Sequence, residues 1–186
     1  MTTEQIERGA RARTRQAVLD AAAAVWARDF SASLSAIAER AEVSRSTLHR
    51  YFTDRQALVD ALLLDSLALL ATLEDRVTAG ASAMDTLEQH LRTGVEIGDR
   101  VIFLFSDPHR FTGNPHWAED DGDDGMRALV DRARAEGTIA EELPTSWAIA
   151  VFYSLLYTAA EVSNQDLPRH VAADLAVQSF RRSMAH

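Results

Sequence analysis

Apolar residues recur along this chain at the three- to four-residue spacing of helices. In a segment from about Arg11 to Arg28, Val18, Ala22, Val25 and Trp26 follow an i, i+4, i+7, i+8 pattern, and Ala21 to Ala24 are strong helix formers. A first helix is predicted there. Leu34, Ile37, Ala38 and Ala41 then share one face of a short second helix. After a break, Val43 and Leu48 are apolar and Ser44 is a good N-cap, which predicts a third helix folding back on the second. Its remaining residues, Arg45, Ser46, Thr47, His49 and Arg50, face mostly outward.

The pattern continues downstream. Asp54 is placed to cap a long helix reaching about Ala79, with Leu58, Leu62, Leu63, Leu67, Leu70 and Leu73 as its apolar stripe and Gly80 as its stop. No sustained e/g charge pattern accompanies these leucines, so they read as ordinary core rather than a coiled coil. Ser82 to Asp85 has the form of a capping box, and Met84, Leu87, Leu91 and Val95 extend it as an amphipathic helix. The run from Val101 to Phe105, VIFLF, suits a strand or a buried helix; with no partner strand in view, a short helix is expected. Ser106 to Asp124 is irregular, broken by Pro108, Gly113, Pro115 and Gly122. Asp124 to about Glu136 is helical again, with Met126, Leu129, Val130 and Ala133 on one face and Gly137 as its stop.

Two further helices close the chain. Pro144 fits a first helical position, and Trp147 to Val162 is apolar nearly all round. Such a helix needs cover on both sides. Pro168 opens the last helix, whose apolar positions are Val171, Leu175, Val177 and Phe180, with Arg181 and Arg182 where the helix dipole favours cations. A second copy of the last two helices is the expected cover, giving a symmetric homodimer; burial within one chain is the alternative. The whole is expected to be all-α, with about nine helices.

Composition narrows the class. The chain has 186 residues and no cysteine, so disulfides and thiolate metal sites are excluded. No apolar run approaches the roughly 20 residues of a membrane span, and Met1 to Ala10 is polar; a cytoplasmic protein is expected. The net charge of -9 argues against nucleic acid until its distribution is considered. Residues 1–55 hold nine arginines against seven acids, whereas residues 56–186 hold ten against 21. Arg8, Arg11, Arg13 and Arg15 make the N-terminus basic, as fits a DNA-binding module joined to an acidic body.

Leu34 to Arg55, LSAIAERAEVSRSTLHRYFTDR, is therefore read as a helix-turn-helix, whose second member enters the major groove. Over residues 13–62 the chain resembles the TetR family of bacterial transcriptional regulators: RQAVLDAAA at Arg15 to Ala23, IAERAEVS at Ile37 to Ser44, and STLHRYFTDRQAL at Ser46 to Leu58. The resemblance implies a three-helix DNA-binding domain over 1–55 and a helical ligand-binding and dimerisation domain over 56–186. It implies a repressor that binds a palindromic double-stranded operator as a homodimer and is released by a small-molecule effector. An activator, or a regulator without an effector, remains open. No cofactor and no catalysis are implied.

Carried over residue by residue, the resemblance places Arg45 and Ser46 at base-reading positions, with His49 and Arg50 as further candidates. It gives phosphate contacts to Ser35, Ser44, Thr47, Tyr51 and Arg55. Three positions depart from the family's habit. Glu42 replaces the turn glycine, which makes a left-handed backbone costly by about 1–2 kcal/mol. His49 replaces a tyrosine, and Arg55 a lysine.

The C-terminal half holds most of the aromatics, and pockets favour such walls with a few polar anchors. The expected ligand-binding set is Arg100, Phe103, His109, Phe111, Trp117, Met126, Trp147, Phe152, Tyr153, Tyr157 and Asn164. His116 and Glu161 are further possible anchors. His109, His116, Glu119, Asp120, Asp121, Asp123 and Asp124 invite a metal or hydrolytic reading, but no metal-ligand spacing is present. A solvated acidic loop, or a lid whose apolar side is Phe111 and Trp117, suits them better.

Overall fold

A computed structural model describes residues 3–74, 81–107, 109–117 and 124–185. These residues hold nine α-helices and no strand: α1 (Thr3–Trp26), α2 (Leu34–Arg40), α3 (Arg45–Tyr51), α4 (Arg55–Glu74), α5 (Ala83–Glu96), α6 (Gly98–Phe105), α7 (Asp124–Ala135), α8 (Thr145–Ser163) and α9 (Arg169–Met184). VIFLF is thus the short helix expected, lying in α6, with Val101 to Leu104 buried and Phe105 exposed. α1 begins well before Arg11, because the residues ahead of the apolar pattern include good helix formers that extend it. Pro144 and Pro168 sit one place earlier than expected, as N-cap residues. Gly80, the expected stop of α4, lies outside the described residues, as do Pro108 and Gly122.

The chain divides into two compact units, Met1–Leu67 and Ala68–His186. The first runs past Arg55, where the sequence placed the domain boundary, because the early turns of α4 bury their leucines in it. Leu58, Leu62 and Leu63 are fully buried together with Val18, Leu19, Ala22, Trp26, Ile37 and Leu48. Gln16 on α1 donates to Asp65 on α4 at 3.4 Å. In the second unit α8 is central and packs on α5, α6, α7 and α9. Gly98 allows the close approach of α6 to α8: a Cβ there would stand 3.2 Å from the Cβ of Ala160.

Polar clasps fix the ends of these helices. Ser82 caps α5 by accepting from the Asp85 amide at 3.1 Å, and its hydroxyl donates to the Asp85 carboxylate at 2.7 Å. Arg134 donates to Asp131 at 2.8 Å, to the Thr145 hydroxyl at 3.0 Å and to the Leu143 carbonyl at 2.9 Å, tying α7 to the start of α8. The Ala140 amide bonds the Met184 carbonyl at 2.9 Å, anchoring the end of α9. No helix among the described residues is long and apolar enough to cross a membrane.

Candidate DNA-reading helix and ligand cleft

The turn between α2 and α3 is built from hydrogen bonds rather than from a permissive residue. The Val43 amide bonds the Ala38 carbonyl at 3.0 Å and the Glu42 amide bonds the Glu39 carbonyl at 3.0 Å, the paired pattern of a Schellman turn. Glu42 takes the left-handed conformation, φ 55°, that the motif requires. The turn has not been reshaped to avoid it. The strain is borne by a β-carbon-bearing residue because both flanking helices fix the backbone on either side.

α3 then starts on a hydroxyl cluster. Ser44 accepts from the Thr47 amide at 3.1 Å, and its hydroxyl lies 2.9 Å from that of Ser46 and 2.8 Å from that of Thr47. Leu48 is the buried residue of α3 and fixes its roll on the core. Arg45, Ser46, His49 and Arg50 are exposed in consequence, while Ser35, Thr47 and Tyr51 are half-buried. The helix reads RSTLHRY and carries no acid. Its outer face thus gathers two guanidiniums, an imidazole and hydroxyls, the donors that suit phosphates and guanine edges. The Arg50 guanidinium rests over the Tyr51 ring at 5.6 Å from its centroid.

Arg55 is placed differently from the other expected phosphate ligands. It is half-buried, with its guanidinium 4.7 Å from the Trp26 ring centroid and 4.9 Å from that of Phe30. One terminal nitrogen donates to the Ala32 carbonyl at 2.7 Å and the other to the Phe30 carbonyl. Ahead of it, Asp54 caps α4, accepting from the Ala57 amide at 2.9 Å and from the Thr53 hydroxyl at 3.2 Å. Those bonds, the Ala57 amide first, hold the Asp54 carboxyl below its ordinary pKa.

In the second unit a cleft runs in two lobes. One, of about 250 Å³, is lined by Val101, Phe105, Tyr153, Leu156 and Tyr157. The other, of about 100 Å³, is lined by Leu70, His90, Gly94, Phe105, Met126, Phe152, Tyr153 and Leu156. Phe105, Tyr153 and Leu156 stand in both walls. The lining is overwhelmingly apolar, since α8 turns Phe152 and Leu156 inward while α5 contributes a glycine that leaves room beside them.

Aromatic rings extend this wall outward. Phe105 lies 6.1 Å from Trp117 and 6.2 Å from Tyr153, and Trp117 lies 5.1 Å from Phe111. Phe111 packs edge-on against Phe103 at 5.3 Å. The segment bearing Phe111 and Trp117 coils through successive turns, with amides of Arg110, Thr112, Asn114 and Trp117 each bonding the carbonyl three residues back. Arg110 steadies it by donating to the Phe103 carbonyl and to the Ser106 hydroxyl.

The profile of the bacterial regulatory proteins of the tetR family matches residues 18–62, from the second half of α1 through α2 and α3 into the first turns of α4. The HTH-type transcriptional repressor LfrR of Mycolicibacterium smegmatis is 34% identical over 183 residues, 97% of this chain and 95% of that one. The chain belongs to the TetR family. Like other members of the family, it is an all-helical, DNA-binding transcriptional regulator. The crystal structure of LfrR in complex with proflavine is similar with a TM-score of 0.74 at 30% identity, covering 95% of this chain and 99% of that one. The ketosteroid transcriptional regulator KstR2 of Mycobacterium tuberculosis shares the fold, with a TM-score of 0.69 at 18% identity, covering 92% of this chain.

Within this TetR-family chain the structure gathers part of the expected ligand set. Met126, Phe152, Tyr153 and Tyr157 line the cleft. Phe103, Phe111 and Trp117 form the aromatic layer reaching it through Phe105. The other expected residues are elsewhere: Trp147 is 56% exposed at the start of α8, and Asn164 donates to Asp99 at 2.7 Å. His109 is exposed with its amide on Asp107, and Arg100 is half-buried but not in the lining. Phe105, Leu156, Val101, Leu70, His90 and Gly94 were missed. Leu156 and Val101 fall on helical apolar stripes that mark core and cleft alike, so periodicity alone carried no signal for them. Among the described residues no three His, Asp or Glu side chains converge as for a metal ion. Glu119, Asp120, Asp121 and Asp123 lie outside those residues.

Proposed function

We propose that this chain is a ligand-released transcriptional repressor acting in the cytoplasm as a homodimer, a binding protein without catalysis. The single observation that carries the DNA-binding half is the outer face of α3: Arg45, Ser46, His49 and Arg50 exposed together on a helix capped at Ser44 and rolled by Leu48. Arg45 and Ser46 read base edges there, with His49 and Arg50 beside them. Ser35, Ser44, Thr47 and Tyr51 hold phosphates and set register.

The homodimer is supported by α8 and α9, which leave Trp147 and Leu175 exposed at 51% or more, apolar surface that a second copy of the same helices would cover. Two α3 helices so paired read successive major grooves about 34–36 Å apart. The effector occupies the two-lobed cleft. Its aromatic, mostly apolar lining suits a flat aromatic molecule, as does the similarity to LfrR, which has been crystallised with proflavine. Binding favours a dimer whose α3 helices no longer match the groove spacing, and the operator is released by population shift.

The test is direct. The purified chain retards the duplex upstream of its own coding region, and proflavine, added in steps, frees that duplex while quenching in the cleft reports its binding. Retardation that survives Arg45→Ala, Arg50→Ala and His49→Ala together would remove α3 from the groove.

A further inference from the structure

The two ends of the helix-turn-helix meet at one side chain. α2 is approached by the strap Phe30–Ala32 and capped by Ser33, which accepts from the Ala36 amide at 3.3 Å. α3 leaves through Phe52 to Asp54, and Arg55 follows at once as the first residue of α4. The Arg55 guanidinium reaches back across that gap to both strap carbonyls, those of Phe30 and Ala32. The Ala32 carbonyl also accepts from the Trp26 indole N–H at 3.2 Å, so one oxygen joins α1, the strap and α4. Asp29 holds the near end of the strap by accepting from the Ser31 hydroxyl at 2.6 Å and its amide at 2.9 Å.

We propose that Arg55 is a positioning residue for DNA reading: it clasps the strap before α2 to the chain leaving α3, and so sets how α3 is presented, rather than gripping a phosphate itself. The chemistry favours arginine for this. A planar guanidinium can lie against both the Trp26 and Phe30 rings, which pack on each other at 5.5 Å, and still fork to two carbonyls in one fixed plane, a geometry a lysine ammonium lacks. Both terminal nitrogens are turned to carbonyls of the same unit, and both rings lie within 5 Å of the charge. The clasp acts on Ser33 and Ser35 through α2, and on α3 through the Leu48 packing that joins the two helices.

This inference rests on α3 being the DNA-reading helix. The experiment uses the full chain and a duplex selected by the wild-type protein from a random-sequence pool. Arg55→Lys, Arg55→Gln and Phe30→Leu are compared at a temperature where circular dichroism shows each folded. All three are expected to weaken binding at least tenfold and to lower the ratio of selected to random-duplex affinity. The slope of log affinity against log salt is expected to stay at the wild-type value, and amide exchange to quicken at the first turn of α2. Lysine restoring full affinity, with glutamine flattening the slope by about one unit, would instead assign Arg55 to a phosphate and overturn the proposal. Wild-type affinity in Phe30→Leu, which changes no charge, would overturn it as well. A wild-type chain that selects no duplex sinks the DNA-reading assignment of α3 along with it.

Discussion

Glu42 and Gly137 occupy the same place in two copies of one turn. After α7 the Thr138 amide bonds the Ala133 carbonyl at 3.0 Å and the Gly137 amide bonds the Arg134 carbonyl at 2.9 Å, the same pair of bonds that Val43 and Glu42 make after α2. Gly137 has φ 73° and Glu42 φ 55°. One turn is free of strain and the other is not. Glu42→Gly is therefore expected to raise stability by about 0.5–1 kcal/mol, the relieved Cβ clash offset in part by glycine's looser unfolded chain. Urea denaturation measures it; a destabilised variant would mean that the Glu42 side chain contributes more than its backbone costs.

Gly94 sets the width of the smaller lobe. A Cβ placed on it would lie 2.6 Å from Cδ1 of Leu156, so Gly94→Ala drives that leucine into the space both lobes share. The Leu156 tip is flexible, so the fold should survive at a cost of about 1–2 kcal/mol. Proflavine affinity is expected to fall about tenfold while duplex retardation is unchanged. Titration by fluorescence, set beside a gel shift, checks both halves.

Trp117 supports Phe105 from outside the cleft. Trp117→Ala is expected to leave operator affinity intact and to raise the proflavine concentration needed for release about fivefold or more. A wild-type release curve would separate this aromatic layer from the effector's site.

Base reading and phosphate holding should part company in mutants of α3. Arg45→Ala is expected to relax discrimination at one base pair by about 1–3 kcal/mol, read by competition among duplexes differing at that position. Thr47→Val should instead weaken all duplexes alike. Leu175→Arg, on the exposed face of α9, is expected to shift sedimentation toward the monomer and to abolish tight binding to a palindrome without altering the single-site contacts.

Among the described residues three carboxyls titrate below their ordinary value: Asp29 through the Ser31 hydroxyl, Asp54 through the Ala57 amide and Asp131 through the Thr145 hydroxyl. A carboxyl depressed on folding stabilises the native state above its unfolded pKa, about 3.9, and that contribution is lost as pH falls through the lower folded value. Thermal midpoints should thus fall as pH drops below about 4, and less steeply in Asp54→Asn, which keeps a cap without the titration. An identical acid limb in that variant would contradict the cap's role.

Local chemistry made most of the fold legible. Ser44, Ser82 and Asp54 are caps because a short oxygen-bearing side chain before an apolar periodic run has few better uses, and the breaks at Glu42 and Gly137 follow from where periodicity stops. The outward set on α3 followed from a single buried position, Leu48. The sequence by itself thus determined the helices, their order, the family and which face of α3 meets solvent.

Only the tertiary structure decided where long side chains end and which apolar residues border empty space. Arg55 reads as one more cation until the strap and two rings are folded around it, because a guanidinium spans several ångströms and its partners lie more than twenty residues away. Leu156 and Phe152 share one stripe with true core, and Trp147 heads the same helix yet stands in solvent. Burial periodicity reports which side of a helix faces inward; whether that side meets a neighbour or a cleft depends on a missing methyl at Gly94, on another helix.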